Sequence, residues 1–381
     1  MKKLFYFSLL GLLVFEILDV YFIMPMPGSQ QMDSVSAAYF LYHWRWVFRA
    51  VFIILLVAGF VKGKWKRRWV AFIPLLLIGA LIWFLNFRMS ADHMFHQPGE
   101  LVFSDAADNK IDSNRLVVGV FMGGKAKAYP IQFIGYHHIV QDTVGDTPVL
   151  VTYCTVCRTG RVYDPHVNGK LETFRLVGMD HFNAMVEDET TKSWWRQATG
   201  EAVAGALKNS KLRELFCTQT TLAEWFRLHP ASLVMQRDPT LVGDNSQRSL
   251  NYETGKSRDA LTGTDSLSWK DKSWVLGVNI GNVSKAYDWN LLKTNHMIKD
   301  RIGERDVVLV LAPDNTSFFG IEIPEQNSSV HLSKDTIIYN GRHYQIDGVG
   351  IDTAYSLKKI TVYQEFWHSW RTFHPETQVY K

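Results

Sequence analysis

The sequence predicts an α+β protein, mainly β, in which three N-terminal transmembrane helices precede a β-rich extracytoplasmic region built from two similar halves. Three observations lead to this prediction: apolar runs dominate the N-terminal part, strand-forming runs alternate with glycine turns in the remainder, and one long stretch recurs further along the chain. The chain has 381 residues, 47% of them hydrophobic, and a formal net charge of +4. That length allows one large or two modest domains, and so small a charge does not indicate a nucleic-acid binder.

The N-terminal part is predicted to be a membrane anchor over residues 1–88. Three apolar runs are each close to the length that crosses a bilayer: 4–24, 46–61 and 69–85. No small-residue cleavage site follows the first run, which argues against a signal peptide. Glu16 and Asp19 lie inside this run. There they indicate either a helix that packs against its neighbours or the outer end of the span.

Basic residues predict the orientation of the anchor. Lys2 and Lys3 begin the chain, and the link between the second and third spans, "KGKWKRR", carries five basic residues. The link between the first two spans has almost none. Because basic links remain in the cytoplasm, we expect a cytoplasmic N-terminus at the inner membrane. Three crossings then place everything after Arg88 outside the cytoplasm, in the periplasm.

The remainder of the chain contains a predicted duplication. Residues 117–151 align with residues 275–310 at a constant offset of 158, with identical pairs that include Gly119 and Gly277, Tyr129 and Tyr287, and His138 and His296. Average residue usage would give roughly two identities in such a window. We therefore expect two similar halves packed about a pseudo-twofold axis: a first half over 89–236, a connecting segment over 237–273 and a second half over 274–381.

Local patterns predict the elements within each half. Glycine-containing turns predict hairpins at Gly123–Gly124, Gly145–Asp146 and Asn168–Gly169. Capping-box patterns at Thr221 and Thr361 each predict the start of a short helix that a His-Pro pair ends.

A Cys-x-x-Cys pattern, Cys154 and Cys157, is the main candidate for chemistry. The third cysteine, Cys217, leaves an odd count, which excludes a full disulfide framework. Outside the cytoplasm a thiol pair is oxidised, bound to a metal or kept reduced by a partner. Three possible ligands are absent together from the second half: at the same offset, His137, Cys154 and Cys157 face Asn295, Ala312 and Asn315. His138 instead faces another histidine, which predicts a shared structural task such as a bond to a backbone carbonyl.

Three interpretations of the cysteine pair remain open. A Cys-x-x-Cys turn between strands directs both sulfurs at one point, as in zinc knuckles. Imidazole and thiolate together suit zinc or copper, and a thioether from Met185 or Met179 would favour copper. A redox pair needs a thiolate stabilised by a basic neighbour or a helix N-terminus; Arg158 is adjacent, but the flanking residues resemble strands. A structural Cys154–Cys157 disulfide, or two packed thiols, is the third interpretation.

The stretch from 117 to 164 resembles the bacterial domain-of-unknown-function family 3179. Members typically show Gly-Gly-x-x-Arg-Ala-Tyr-Pro, then His-Glu-Ile-Val-Asn-Asp, then Val-Thr-Tyr-Cys-Pro-Leu-Cys-Gly-Thr. Here the matching segments are "GGKAKAYP", "HHIVQD" and "VTYCTVCRT", and "NAMVEDETTKSWWRQATGEAVAG" resembles a second block of the family. The resemblance covers about residues 100 to 235, with a weaker similarity beyond.

The resemblance implies no activity, because that of the family is unassigned, but it points to the same residues. The family histidine falls on His137 and its cysteines on Cys154 and Cys157. This chain departs from the pattern where His138 replaces glutamate, Gln141 replaces asparagine and Arg158 replaces glycine.

We therefore expect a membrane-anchored extracytoplasmic protein in which His137, Cys154, Cys157 and Met185 bind zinc or copper, or in which the cysteines form a redox site. The alternative is a non-enzymatic binding or scaffold module with a Cys154–Cys157 disulfide. No nucleic-acid partner is expected, and the sequence identifies neither a small-molecule nor a protein partner.

Overall fold

The computed structural model describes residues 1–241, 252–254, 266–324 and 329–381. The chain divides into two compact units, which do not follow the order of the sequence. The first unit comprises Met1–His96, Glu172–Arg196 and Glu201–Lys211; the second comprises Gln97–Leu171, Gln197–Gly200 and Leu212–Lys381. Much of the predicted connecting segment, 237–273, lies outside the described residues, and the predicted domain boundaries stay a prediction.

The described helices are α1 Lys2–Ile23, α2 Val35–Val61, α3 Phe72–Arg88, α4 Ala91–Met94, α5 Ile131–His137, α6 Leu222–Leu228, α7 Trp289–Asn295 and α8 Trp367–Phe373. The strands up to the connecting segment are β1 Phe103–Ser104, β2 Leu116–Met122, β3 Lys125–Pro130, β4 Ile139–Val144, β5 Thr147–Cys154, β6 Thr159–Tyr163, β7 His166–Val167, β8 Lys170–Leu171, β9 Phe174–Asp180, β10 Asn183–Asp188, β11 Trp194–Arg196, β12 Ala202–Ala204, β13 Thr218–Thr221 and β14 Leu233–Met235. The later strands are β15 Trp274–Ile280, β16 Val283–Asp288, β17 Met297–Ile302, β18 Arg305–Leu311, β19 Phe318–Ile323, β20 Val330–Ser333, β21 Thr336–Tyr339, β22 Arg342–Gln345, β23 Lys358–Ile360, β24 Tyr363–Phe366 and β25 Gln378–Val379.

Three N-terminal helices are long and apolar enough to cross a membrane, as predicted. The second begins at Val35, well before the apolar run that starts at residue 46. The extra turns carry aromatic and polar residues, which an apolar window does not detect. Inside the bundle, Glu16 forms an ion pair with Arg49 at 2.7 Å, and Asn86 bonds to the same carboxylate at 2.9 Å. One polar side chain from each helix therefore joins the three helices, and Glu16 packs between them rather than marking the end of a span.

A four-stranded antiparallel sheet, in the order β12-β11-β10-β9, belongs to the same unit as these helices. The Trp194 ring lies 5.0 Å from that of Tyr39 and 5.4 Å from that of Tyr42, both on α2. A Cβ at Gly178 would lie 2.2 Å from the Ile23 carbonyl oxygen, so only glycine allows this approach of β9 to α1. This sheet therefore packs on the C-terminal end of α1 and the N-terminal part of α2.

The first half of the second unit contains a five-stranded sheet, β1-β14-β3-β2-β13, and a three-stranded sheet, β4-β5-β6. The predicted hairpins are confirmed. Gly123 and Gly124 have φ of 56° and 72° between β2 and β3, Gly145 has φ of 60° between β4 and β5, and Asn168 and Gly169 link β7 to β8. These left-handed conformations match the tight turns that connect antiparallel strands. Buried valine, isoleucine and tyrosine side chains fill the space between the two sheets.

The second half has a comparable order of elements. Its sheets are β24-β15-β16-β25 and β17-β18-β19-β23, and a further sheet, β20-β21-β22, packs on the β18 and β19 side of the latter. The start of α6 at Thr221 is confirmed, since its hydroxyl accepts the Glu224 N–H. The second predicted helix is present and ends before His374, but its predicted start at Thr361 is wrong: residues 363–366 form β24, which pairs with β15, and α8 begins at Trp367.

A tryptophan packs directly on a strand glycine in each half. A Cβ at Gly119 would lie 2.2 Å from the Trp225 ring, and one at Gly277 would lie 2.0 Å from the Trp370 ring. Both tryptophans are almost fully buried, and each also contacts a histidine ring, at 4.3 Å for Trp225 and 3.9 Å for Trp370. The helix of each half is therefore held against its sheet by contacts of one kind.

Replacing either glycine by alanine should destabilise the protein, because the added methyl group overlaps an indole ring that has no space to retreat. We expect Gly119→Ala and Gly277→Ala each to lower the free energy of unfolding by about 1–3 kcal/mol. Urea unfolding of the detergent-solubilised chain measures this. Gly79→Ala is the control, because nothing lies within 4 Å of its added Cβ; equal stability of all three variants would contradict the packing argument.

Candidate functional site

The two cysteines bracket the turn that closes the β5–β6 hairpin. Cys154 is the last residue of β5 and pairs with Thr159, the first residue of β6. The intervening residues 155–158 form the turn. Both cysteine side chains are fully buried. The sequence therefore presents two sulfurs from one short turn, away from solvent, as the Cys-x-x-Cys pattern predicts.

His137 ends α5, next to the strand that pairs with β5. The ladder joins Ile139 to Thr152, and the Tyr153 N–H donates to the His138 carbonyl at 2.9 Å. His137 itself belongs to α5, and this helix contacts β5, the strand that ends at Cys154. The His137 side chain is 1% exposed. The grouping of His137 with both cysteines stays a prediction.

His138 has the structural task that the sequence predicts. Its Nδ1 lies 2.9 Å from the Tyr153 carbonyl oxygen, and its φ is 60° at the end of α5. Burial lowers the pKa of His138 to about 4, so the ring is neutral. His296 has a similar φ, 57°, and its carbonyl accepts the equivalent bond from the Leu311 N–H, but its side chain is exposed. Both halves therefore share a residue of left-handed conformation at the end of the helix. The hydrogen bond from the imidazole ring to a backbone carbonyl is found in the first half.

The second half holds the cysteine turn through two carbonyl groups. The Phe366 N–H donates to the Cys157 carbonyl at 3.0 Å, and the His368 imidazole bonds to the Val156 carbonyl. Burial, helped by Lys272, lowers the pKa of His368 to about 4. A neutral imidazole therefore donates to Val156. Its Nε2 is buried and has no hydrogen-bond partner among the residues that the structure describes.

The other predicted ligand, Met185, lies on β10 in the unit of the apolar helices, where it is fully buried. Met179 lies on β9 of the same sheet. Cys217 is a core residue of the other unit, and burial raises the pKa of its thiol to about 12. Within the described part of the chain, no group of three or more His, Cys, Asp or Glu side chains is arranged to hold a metal ion.

Comparison with known proteins assigns the chain to a family. The family model described as protein of unknown function (DUF3179) matches residues 98–377. The chain is a member of the DUF3179 family. No curated protein and no solved structure matches it. The match includes both halves, so the DUF3179 region extends well beyond the motifs near the cysteines.

Arg158, which stands where the DUF3179 pattern has glycine, was not predicted as a site residue. Its φ of 57° is in the left-handed region, which explains why glycine suits this position. The guanidinium lies 3.7 Å from the centre of the Trp274 ring and is 1% exposed. It donates from Nη1 to Gln364 Oε1 at 2.6 Å and from Nε to the Glu253 carbonyl at 2.8 Å. Its hydrogen bonds therefore go to neutral oxygens.

Glu253 lies between two arginines. Its Oε1 is 2.8 Å from Arg115 Nε, and its carboxylate also acts on Arg158. Burial raises the pKa of the Glu253 carboxyl to about 7, although both arginines lower it. The carboxylate is therefore only partly ionised near neutral pH and compensates at most one of the two positive charges.

Arg161, three residues further on, contrasts with Arg158. It is equally buried, but its Nη2 donates to Glu365 Oε2 at 3.2 Å. The Tyr363 ring lies 3.2 Å from its guanidinium carbon. Arg161 therefore has a buried carboxylate of its own. The departure of Arg158 from the family pattern was the one sequence signal that could have singled it out, because Gln364 and Trp274 come from the distant second half.

The contact between His368 and Val156 predicts a pH effect on stability. The pKa of His368 is about 4 in the folded protein, below the usual 6.5. The unfolded chain therefore takes up the proton first. The contribution of the neutral His368 ring to the free energy of unfolding is fully present above pH 6.5. It is lost as the pH falls toward 4, by up to about 1.4 kcal/mol per pH unit.

In His368→Asn the amide can still donate to Val156 but does not titrate, so the difference in stability between pH 7 and pH 4.5 should be smaller than in the natural chain. Urea unfolding at the two pH values, followed by tryptophan fluorescence, measures this. His138, which titrates in the same direction, is present in both proteins and cancels in the comparison. If the natural chain and His368→Asn showed the same pH dependence of stability, the burial of a neutral His368 ring would be contradicted.

Proposed function

We propose that this protein is a membrane-anchored, extracytoplasmic metal-binding protein in which His137, Cys154 and Cys157 bind zinc or copper. The observation that carries the proposal is that one short turn contributes two fully buried sulfurs, while a buried histidine ends α5, the helix that contacts β5. Burial opposes exchange with a disulfide of another protein, which requires access to the sulfur. Burial of the sulfurs is compatible with the binding of a small metal ion.

The donor set fits soft metals. Thiolate selects copper(I) and zinc, and imidazole suits both. Cys154 and Cys157 would supply the thiolates, His137 the imidazole, and Met185 stays a predicted thioether ligand that would favour copper. A bound ion would act as a Lewis acid if zinc, or as an electron carrier if copper. The residues of the chain would orient the donors and exclude water from them.

The proposed metal site predicts a specific loss of metal on mutation. The full chain, purified in detergent under reducing conditions, should carry about one equivalent of zinc or copper by elemental mass spectrometry. Cys154→Ser and Cys157→Ser should carry none, because each removes one of two thiolates. Cys217→Ser is the matched control, since that thiol is a buried core residue and should leave the metal content unchanged; Met185→Leu tests the thioether.

No metal above background in the natural chain would refute the proposed function. The predicted alternative, a binding or scaffold module with a Cys154–Cys157 disulfide, is then decided by intact mass after alkylation in denaturant without reductant. One alkylated cysteine indicates the disulfide, and three indicate packed thiols.

We also propose that the N-terminus is cytoplasmic and that residues after Arg88 lie in the periplasm. The support is the basic link between the second and third apolar helices. In a bacterial host, alkaline phosphatase fused after Lys381 should be active, since the enzyme folds only outside the cytoplasm, and phosphatase fused within the link 62–68 should be inactive. The reverse pattern would overturn the proposed sidedness.

The two halves are proposed to be copies of one ancestral unit. Support comes from the shared order of strands and helices and from the glycine–tryptophan contact that each half makes. The ion pairs Lys127–Asp142 and Lys285–Asp300, at 2.8 Å and 2.5 Å, occupy equivalent positions at the offset of 158 residues and add to it. In this view, the second half has lost the cysteines and kept the framework.

A further inference from the structure

We infer that Arg158 makes the cysteine site selective for a monovalent soft metal ion, copper(I), over divalent zinc. The inference rests on the proposed function, that Cys154 and Cys157 bind one of these metals, and it names which. It concerns a residue that departs from the DUF3179 pattern, so it is a property of this chain.

A buried cation next to the cysteine turn is the first observation. Arg158 directly follows Cys157, its side chain is 1% exposed, and an aromatic ring and two neutral oxygens surround its guanidinium. A charge taken out of water is costly unless an opposite charge compensates it. A buried cation therefore stands on the residue next to one of the two proposed ligands.

The local charge balance is the second observation. Arg115 and Arg158 contribute two positive charges, and the carboxylate described near both is that of Glu253, 2.8 Å from Arg115. Because burial raises the pKa of Glu253 to about 7, this carboxylate carries less than a full negative charge near neutral pH. Among the described residues, at least one positive charge is therefore left over beside the turn.

Metal binding changes the charge of the site differently for the two ions. Two neutral thiols bind copper(I) with release of two protons to solvent, so the site goes from neutral to one net negative charge. The same two thiols bind zinc(II) with release of two protons and remain neutral overall, with His137 neutral in both cases. No electron is transferred in either step. An uncompensated positive charge stabilises the copper(I) complex, because that complex carries a net negative charge. It does not stabilise the zinc complex, which is neutral.

Arg161 shows that burial of an arginine alone does not have this consequence. It is as buried as Arg158 and lies on the same hairpin, but Glu365 compensates its charge at 3.2 Å. An arginine with a carboxylate of its own leaves no surplus for the metal site. Replacing Arg161 and Glu365 together by neutral side chains removes a buried guanidinium without changing the net charge, and this double variant is the matched control.

The test compares copper(I) and zinc affinities in Arg158→Met, on the full chain in detergent under anaerobic, reducing conditions. Competition with the chromophoric chelator bicinchoninate reports copper(I), and competition with a zinc indicator dye reports zinc. Copper(I) affinity should fall about tenfold, the effect of one charge at roughly 10 Å and an effective dielectric constant of about 20, while zinc affinity stays unchanged. Arg158→Lys should keep the natural ratio of the two affinities, and the double variant Arg161→Met with Glu365→Gln should keep it too.

Several outcomes separate the two proposals. If the natural chain binds neither metal, the proposed function fails. If it binds a metal but the ratio of affinities in Arg158→Met is unchanged, or both affinities fall equally, the role of Arg158 is overturned. Should Arg158→Met fail to fold, Arg158→Gly replaces it, since glycine relaxes the left-handed backbone of this position, and the same change in ratio is expected.

Discussion

The cysteine turn depends on hydrogen bonds that come from the other half of the chain. The Phe366 N–H and the His368 ring occupy the carbonyls of Cys157 and Val156, so the backbone between the sulfurs is held from outside its own hairpin. Buried carbonyl groups need such partners, and a lost one costs about 1–3 kcal/mol. The first half therefore carries both cysteines of the turn, but residues of the second half complete the hydrogen bonds of its backbone. The half without cysteines thus stabilises the turn of the half that has them.

Arg158 and Arg161 are both buried, but their positive charges are compensated differently. Arg161 donates to Glu365, and the pair is buried together. Arg158 donates to an amide and a carbonyl, which satisfy its hydrogen bonds but not its charge. Because hydrogen bonding and charge compensation are separate requirements in a medium of low dielectric constant, only Arg158 favours a negative charge nearby.

The sequence predicted what local chemistry determines. Glycine turns such as Gly145, the cap at Thr221 and the apolar helices were all recognisable, because each depends on residues a few positions apart. The helix start predicted at Thr361 was wrong because pairing with β15, some ninety residues earlier, turned the segment 363–366 into a strand. The role of Arg158 was equally hidden, since its partner Gln364 is 206 residues away. The turn at the cysteines was recognisable from the strand-forming residues on either side of it, whereas the convergence of His137 on both sulfurs stays a prediction.

The first half also differs from the second in what its inserted segment packs on. Between β8 and β13 the chain forms β9 to β12, which share a compact unit with the apolar helices. In the second half, the corresponding insertion between β19 and β23 forms β20 to β22, which pack on the strands of their own half. The half with the cysteines is thus also the half whose insertion contacts the anchor. If both halves derive from one unit, the insertion came to pack on the apolar helices in the half that carries the Cys-x-x-Cys pair, and on the strands of its own half in the other.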